Sequence, residues 1–277
     1  MQALDLYVRS SLIFSGTLIR EARTPWCAAS SPGLWQGGEA VVRPRVPRMD
    51  QAAQPAFATR GSQRWLQIAV CHTPHLLDSA LREAGVIAPT ATVQWASPLR
   101  QAGFVEYRDG AALTELGLGD LPVRPLADFW PPRGPVWDGL GSSSDGYKIL
   151  LEAKAHVAEA ASPRSQASPD SMKRIQNALE EARAWYAPNA KAVWTESLYQ
   201  YANRLAFHYF LAKVNGVASR MVFLDFCCDD EMGGPESPQT WKGATEMIHA
   251  LLGLPKDLHS KGVFHAYVDV RALKALG

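Results

Sequence analysis

One short stretch concentrates the residues that can do chemistry. It reads Pro135-Val136-Trp137-Asp138, then a turn, then Ile149-Leu150-Leu151-Glu152-Ala153-Lys154. Strand side chains alternate between faces, so Glu152 and Lys154 point the same way and Ala153 the other. Three apolar residues precede them and mark a buried strand. A carboxylate and an ammonium at the end of such a strand are costly unless paired or functional. Asp138, on the preceding strand, reaches the same end. Two carboxylates suit a hard divalent cation such as Mg2+ or Mn2+, which takes oxygen ligands and keeps several waters. Such an ion activates a water, polarises a phosphoryl oxygen and neutralises charge on a leaving group. Lys154 then orients the attacking water or stabilises the developing charge. The alternative is structural: a buried Glu152–Lys154 or Asp138–Lys154 ion pair that fixes the hairpin. His156 shares the parity of Glu152 and Lys154 and reads as a strand-end polar residue rather than a ligand.

The elements that position these residues follow from patterning. Residues 136–138 read as a short strand, 139–146 as a Gly- and Ser-rich turn, and 147–155 as a longer strand, together a hairpin. Upstream, 62–71 and 74–84 read as helices, with Ser62 as a cap and Gly85 as a stop. Segments 92–95 and 104–107 read as strands, and 111–116 as a helix ended by Gly117. Downstream of a loop at 157–167, a helix begins with Ser168 as N-cap, Pro169 and Asp170. Met172, Ile175, Leu179, Ala182 and Trp185 give it one apolar face. A helix over 195–214, a continuous apolar strand over 219–227, a helix over 241–252 and a strand over 263–270 complete an alternating α/β order.

The helix over 195–214 is apolar on most sides. Its polar residues Glu196, Gln200, Arg204 and His208 recur every fourth position, with Asn203 beside them. They form either the solvent-facing side of the helix or a stripe in which Gln200 and Arg204 border the metal site and touch phosphate.

Bulk properties set the frame. A chain of 277 residues, 47% hydrophobic, supports one substantial core. No stretch approaches the roughly 20 apolar residues of a membrane span, and the expected setting is cytoplasmic. Residues 1–48 hold six arginines, no lysine and three acids, with four prolines. They read as a disordered or non-native extension to about residue 55, with Met49 as a plausible initiator, followed by a single domain over 56–277. Without residues 1–48 the chain has 22 basic and 24 acidic residues, which is not the basic excess of a strong nucleic-acid binder. Cys27, Cys71, Cys227 and Cys228 form no CxxC pair and read as free thiols in a reducing compartment. His72 and His75, near Cys71, have poor spacing for zinc. Walker, dinucleotide and HExxH motifs are absent.

Asp138 followed fourteen residues later by Glu152-Ala153-Lys154 resembles the PD-(D/E)XK phosphodiesterase superfamily, which includes restriction endonucleases and many repair nucleases. The resemblance spans about residues 62–230 and extends to element order: helices, a hairpin carrying the motif, a helix, a strand. Pro135 stands three positions before Asp138 rather than adjacent to the acid. The resemblance implies a restriction-endonuclease-like core, a mixed central sheet flanked by helices. It implies that Asp138 and Glu152 hold Mg2+ or Mn2+, that the Ala153 carbonyl joins the shell and that Lys154 assists catalysis. It also implies a Gln near the site from a later helix, here Gln200, and an additional acid, for which Glu83 and Glu106 are candidates. The implied activity is metal-dependent cleavage of DNA or RNA. The competing function is a non-catalytic scaffold or binding module that retains the fold, which the mildly negative charge favours.

Overall fold

The strand Ser219–Cys227 is buried along almost its whole length, and the sheet is assembled around it. The structure, a computed structural model, describes residues 54–196 and 198–274. In chain order the described elements are α1 (Gly61–His72), α2 (Pro74–Glu83), β1 (Val93–Ser97), β2 (Tyr107–Arg108), α3 (Asp109–Glu115), α4 (Leu126–Phe129), β3 (Val136–Trp137), β4 (Gly139–Ser143), β5 (Lys148–Lys154), α5 (Pro169–Tyr186), α6 (Tyr199–Tyr209), β6 (Ser219–Cys227), α7 (Pro238–Leu252), β7 (Val263–Asp269) and α8 (Arg271–Lys274). The main sheet has five strands in the order β1-β4-β5-β6-β7. β4 runs antiparallel to both of its neighbours, β1 and β5, whereas β5, β6 and β7 run parallel. The parallel steps need long crossovers; α5 and α6 supply the first and α7 the second. The protein is therefore α/β, with a mixed central sheet flanked by helices.

Alternation along the strands divides the core in two. Leu150, Met221, Phe223 and Val263 face α5 and α6. Ile149, Leu151, Val222, Leu224, Phe264 and Ala266 face α1 and α2. Both faces are covered, which is why β6 reads as an apolar run from Met221, interrupted at Asp225.

Several boundaries differ from the sequence expectation for identifiable reasons. Residues 139–143 form a strand rather than part of a turn. Gly139 and Gly141 are there because a Cβ at Gly141 would lie 2.7 Å from Val93 Cγ1, and one at Gly139 would crowd Leu151 and Trp95. The turn contracts to residues 144–146, with Gly146 at φ +96°. Phe104 is not in a strand: its φ is +58°, and only Tyr107–Arg108 pair, with β3 in a separate two-stranded ladder. Ser62 lies inside α1 and caps nothing. Ser168 occupies the N-cap position of α5, but its hydroxyl bonds Ser171 Oγ rather than a backbone N–H. The helix expected from residue 195 starts at Tyr199, after Leu198 at φ +55°, and its last turn, Phe210–Val214, widens to a π-helix.

The expectation of an extension over 1–55 lies, except for Gln54 and Pro55, outside the described residues. Pro55 itself is already tied in, since its carbonyl accepts from Arg100 Nε at 3.1 Å. Among the described residues, no helix is long and apolar enough to cross a membrane.

Candidate functional site

Asp138 occupies the corner between two ladders, not the middle of a strand. β3 ends at Trp137 and pairs with β2, while β4 begins at Gly139 opposite Leu151 of β5. The β4–β5 register, continued by one residue, sets Asp138 beside Glu152. The geometry agrees: the backbone N–H of Ala153 donates to Asp138 Oδ2 at 2.8 Å. The sequence motif is thus brought together by a one-residue corner that leaves β3 and β4 in different sheets.

Glu152 is 2% exposed. Its Oε1 accepts from Lys154 Nζ and its Oε2 from Arg204 Nε at 2.6 Å. Arg204, 4% exposed, also donates to the Val136 carbonyl at 2.7 Å and to Asn203 Oδ1 at 2.9 Å, and its guanidinium lies over the Trp137 ring. A planar fork with several donors suits this role, binding one carboxylate and two fixed oxygens at once. Arg204 and Lys154 together hold the Glu152 carboxyl below its usual range, against the upward push of burial.

Asp138 behaves oppositely. Burial, followed by the charge of Glu152, pushes its carboxyl up to about 7, although Lys154 and the Ala153 N–H pull the other way. Its Oδ1 accepts no hydrogen bond from the described residues. Asp138 is half-buried, so that oxygen is open to water, and a carboxylate beside a second one also favours a proton or a cation. Asp138, Glu152 and the Ala153 carbonyl are hard oxygen donors of the kind Mg2+ and Mn2+ take, so the residues present fit such an ion in type. Among the described residues no group of three or more His, Cys, Asp or Glu side chains is arranged to hold a metal. Asp138 and Glu152 contribute only two such side chains, and the remaining ligands of an ion bound there would be the Ala153 carbonyl and water.

The polar stripe on α6 does not face solvent. Asn203, Arg204 and His208 are buried. His208 accepts from the Tyr186 hydroxyl at Nδ1 (2.6 Å) and donates from Nε2 to the Ser219 carbonyl (3.1 Å), and burial lowers its pKa to about 4. Gln200 is half-buried and lines a small cavity with Glu152, Lys154, Tyr201, Phe223 and Asp225. On its other side it borders a shallow cleft with Ser162, Arg164 and Tyr199. Glu196, at the end of the stripe, is exposed.

The two candidate acids separate. Glu83 is exposed and lines a different cleft, with Thr245, His249 and His265. Glu106 precedes Tyr107, the register partner of Trp137, so one further residue of that ladder sets it beside Asp138; its carboxylate accepts from Gln63 of α1 at 2.8 Å. His156 meets Glu159 at 3.4 Å, and His72 and His75 are exposed.

Sequence reasoning passed over Asp225 and His265, which line the same cavity as Glu152 and Lys154. A signal was present. Asp225 is a carboxylate in the apolar run Met221–Phe226, and His265 falls in the closing strand. No protein-family model, curated protein or solved structure matches the chain.

Proposed function

We propose that this chain is a metal-dependent phosphodiesterase acting on DNA or RNA, with Asp138 and Glu152 as side-chain ligands of Mg2+ or Mn2+ and the Ala153 carbonyl beside them. The observation that carries the reading is the Asp138–Ala153 contact. It brings a carboxyl with a raised pKa, and one oxygen open to solvent, against the strand end that presents Glu152 and Lys154. The order of helices, antiparallel hairpin, crossover helix and parallel strand supports a restriction-endonuclease-like core. Three free thiols among the described residues favour a reducing, cytoplasmic setting.

When bound, the ion supplies Lewis acidity, polarising a phosphoryl oxygen and lowering the pKa of water. The chain's own residues do the rest. Arg204 fixes the Glu152 carboxylate in one orientation. Lys154, 14% exposed at its side chain and lining the cavity, steadies a nucleophile or the charge developing on the phosphoryl oxygens. Gln200, between the cavity and the cleft beyond it, is the residue we assign to phosphate contact. Arg204 has donors engaged within the protein, so its contribution to nucleic-acid binding is chiefly through Glu152.

The direct test is calorimetric titration of Mg2+ and Mn2+ into the wild type and Asp138→Ala. Binding in the first and none in the second supports the reading; no binding to the wild type removes it. A second reading, a non-catalytic scaffold, is favoured by one observation: Glu152 is already neutralised by Lys154 and Arg204.

A further inference from the structure

Four side chains on the Glu152 face of the sheet form a hydrogen-bonded chain that the proposed reaction leaves unexplained. Asp225 Oδ2 meets His265 Nδ1 at 3.3 Å, and His265 Nε2 meets the Tyr201 hydroxyl at 3.1 Å. That hydroxyl meets His249 Nε2 at 2.8 Å, and His249 Nδ1 meets the Pro255 carbonyl at 2.8 Å. Each of the four contacts needs one proton. A tyrosine and two neutral imidazoles supply three. The Pro255 carbonyl can only accept, so His249 carries its proton on Nδ1. Burial, and then the charge of His265, lower the basicity of His249. Its Nε2 is therefore bare and takes the Tyr201 proton. The Tyr201 oxygen then accepts from His265 Nε2. The fourth proton belongs to the contact between His265 Nδ1 and Asp225 Oδ2.

That pair adjoins Lys154. Asp225 is the register partner of Lys154 on the adjacent parallel strand, is 4% exposed, and lines the same cavity. Yet Lys154 bonds Glu152 and makes no ion pair with Asp225. Each of the two buried carboxylates beside Lys154 has a second partner, Arg204 for Glu152 and His265 for Asp225, and only the His265 partner can lose its charge by giving up a proton.

We propose that Asp225 and His265 are positioning residues for Lys154: while His265 is charged it retains Asp225 and leaves the Lys154 ammonium on Glu152, and when His265 loses its proton Asp225 draws the ammonium away. The groups facing His265 are Asp225 on β6, Tyr201 on α6, Thr245 and His249 on α7, and Tyr267 on its own strand. Thr245 Oγ1, 3.5 Å from Nδ1, can bond that nitrogen once it is bare. His265 and Thr245 also line a solvent-open cleft of about 550 Å3 that carries Lys242, Lys256, Glu83 and Asp257, so the imidazole can exchange its proton without unfolding.

The activity arm of the test rests on the phosphodiesterase reading; a spectroscopic arm does not. In the full chain, the His265 Cε1–H resonance, assigned by its loss in His265→Gln, is followed with pH together with the Lys154 13Cε resonance, assigned by its loss in Lys154→Arg. Both should move through one common transition, and Asp225→Asn should abolish the Lys154 movement while His265 still titrates. Cleavage by the wild type should fall about tenfold per pH unit above that transition, whereas Asp225→Asn, which cannot attract the ammonium, should show no such limb. A Lys154 resonance that is indifferent to the His265 transition overturns the proposal, whether or not the protein cleaves anything. So does a Lys154 movement that persists in Asp225→Asn. Absence of cleavage with the spectroscopic coupling intact removes the phosphodiesterase reading and leaves the positioning pair.

Discussion

Arg204 Nε lies 2.6 Å from Glu152 Oε2, across fifty-two residues of chain, and both side chains are almost fully buried. The contact joins α6 to β5 and so sets the distance between the crossover helix and the strand end that carries the motif. A buried pair of this kind is maintained by its partners: both Glu152 oxygens and each of the three guanidinium nitrogens make a hydrogen bond, and removal of one member strands the other.

Arg204→Met should therefore destabilise the fold by about 3–5 kcal/mol, measured by urea unfolding. Arg204→Lys should recover little, because one ammonium cannot serve Glu152, Val136 and Asn203 from a planar fork. A loss in Arg204→Met within the error of the measurement would show that the pair does not hold α6 to the sheet.

Asp138 carries the opposite energetic sign. Its folded pKa of about 7 lies above the unfolded value of roughly 4. Between those values the folded state binds more protons, so this group's contribution to stability falls as pH rises from about 4 to about 7 and stays unfavourable above. In chelator, Asp138→Asn should be more stable than the wild type by about 1–3 kcal/mol at pH 8 and no more stable at pH 4. Cation binding, which needs the carboxylate, should weaken about tenfold per pH unit below 7 in the wild type. A destabilised Asp138→Asn at pH 8 would show that the Ala153 contact outweighs burial.

His208 gives a second pH signature, distinct in range. Its pKa falls from roughly 6.5 unfolded to about 4 in the fold. The unfolded chain binds the extra proton between those values, so the neutral His208 contribution is fully present above about pH 6.5 and is lost as pH falls through about 4, a loss of a few kcal/mol. Unfolding curves from pH 7 to 4 should show this slope, and His208→Gln should flatten it at the expense of lower stability at pH 7. An unchanged slope in that variant would assign the acid sensitivity to other groups.

The periodicity of the sequence carried the α/β order, the apolar strand β6 and the strand β5 that bears Glu152 and Lys154, because burial on one or both faces leaves a direct trace in residue type. It did not carry the corner at Asp138, since two residues of β3 pair with Tyr107–Arg108 and not with the next strand. Gly139 and Gly141 read as turn residues because glycine signals either a bend or a close approach, and only the neighbours Trp95 and Val93 decide which. The α6 stripe carries the same ambiguity. A polar residue every fourth position marks a helix face, but whether that face meets water or a buried carboxylate depends on Glu152, fifty-two residues away from Arg204. The Asp225–His265 pair lies on two separate strands and has no spacing motif at all.

The two functional readings diverge most sharply at Lys154. On the phosphodiesterase reading, Lys154→Ala should keep cation binding and lose most turnover, because the ammonium acts on the nucleophile or on developing charge and not on the ion. Removing one such group commonly costs on the order of a hundredfold to a thousandfold in rate. Asp138→Ala should lose both binding and cleavage. On the scaffold reading, Lys154 only neutralises Glu152, and Lys154→Ala should lower stability with no activity to lose. Arg204 still holds Glu152 in that variant, so the destabilisation should be smaller than that of Arg204→Met. The deciding assay runs melting temperature, Mn2+ binding and cleavage of single- and double-stranded DNA and RNA on the same three proteins. Wild-type cleavage that requires Mg2+ or Mn2+ and disappears in Lys154→Ala at little cost in melting temperature establishes the enzyme. A wild type that neither binds the ion nor cleaves any of the four substrates leaves Glu152, Lys154 and Arg204 as a buried ion network whose work is to hold β5 against α6.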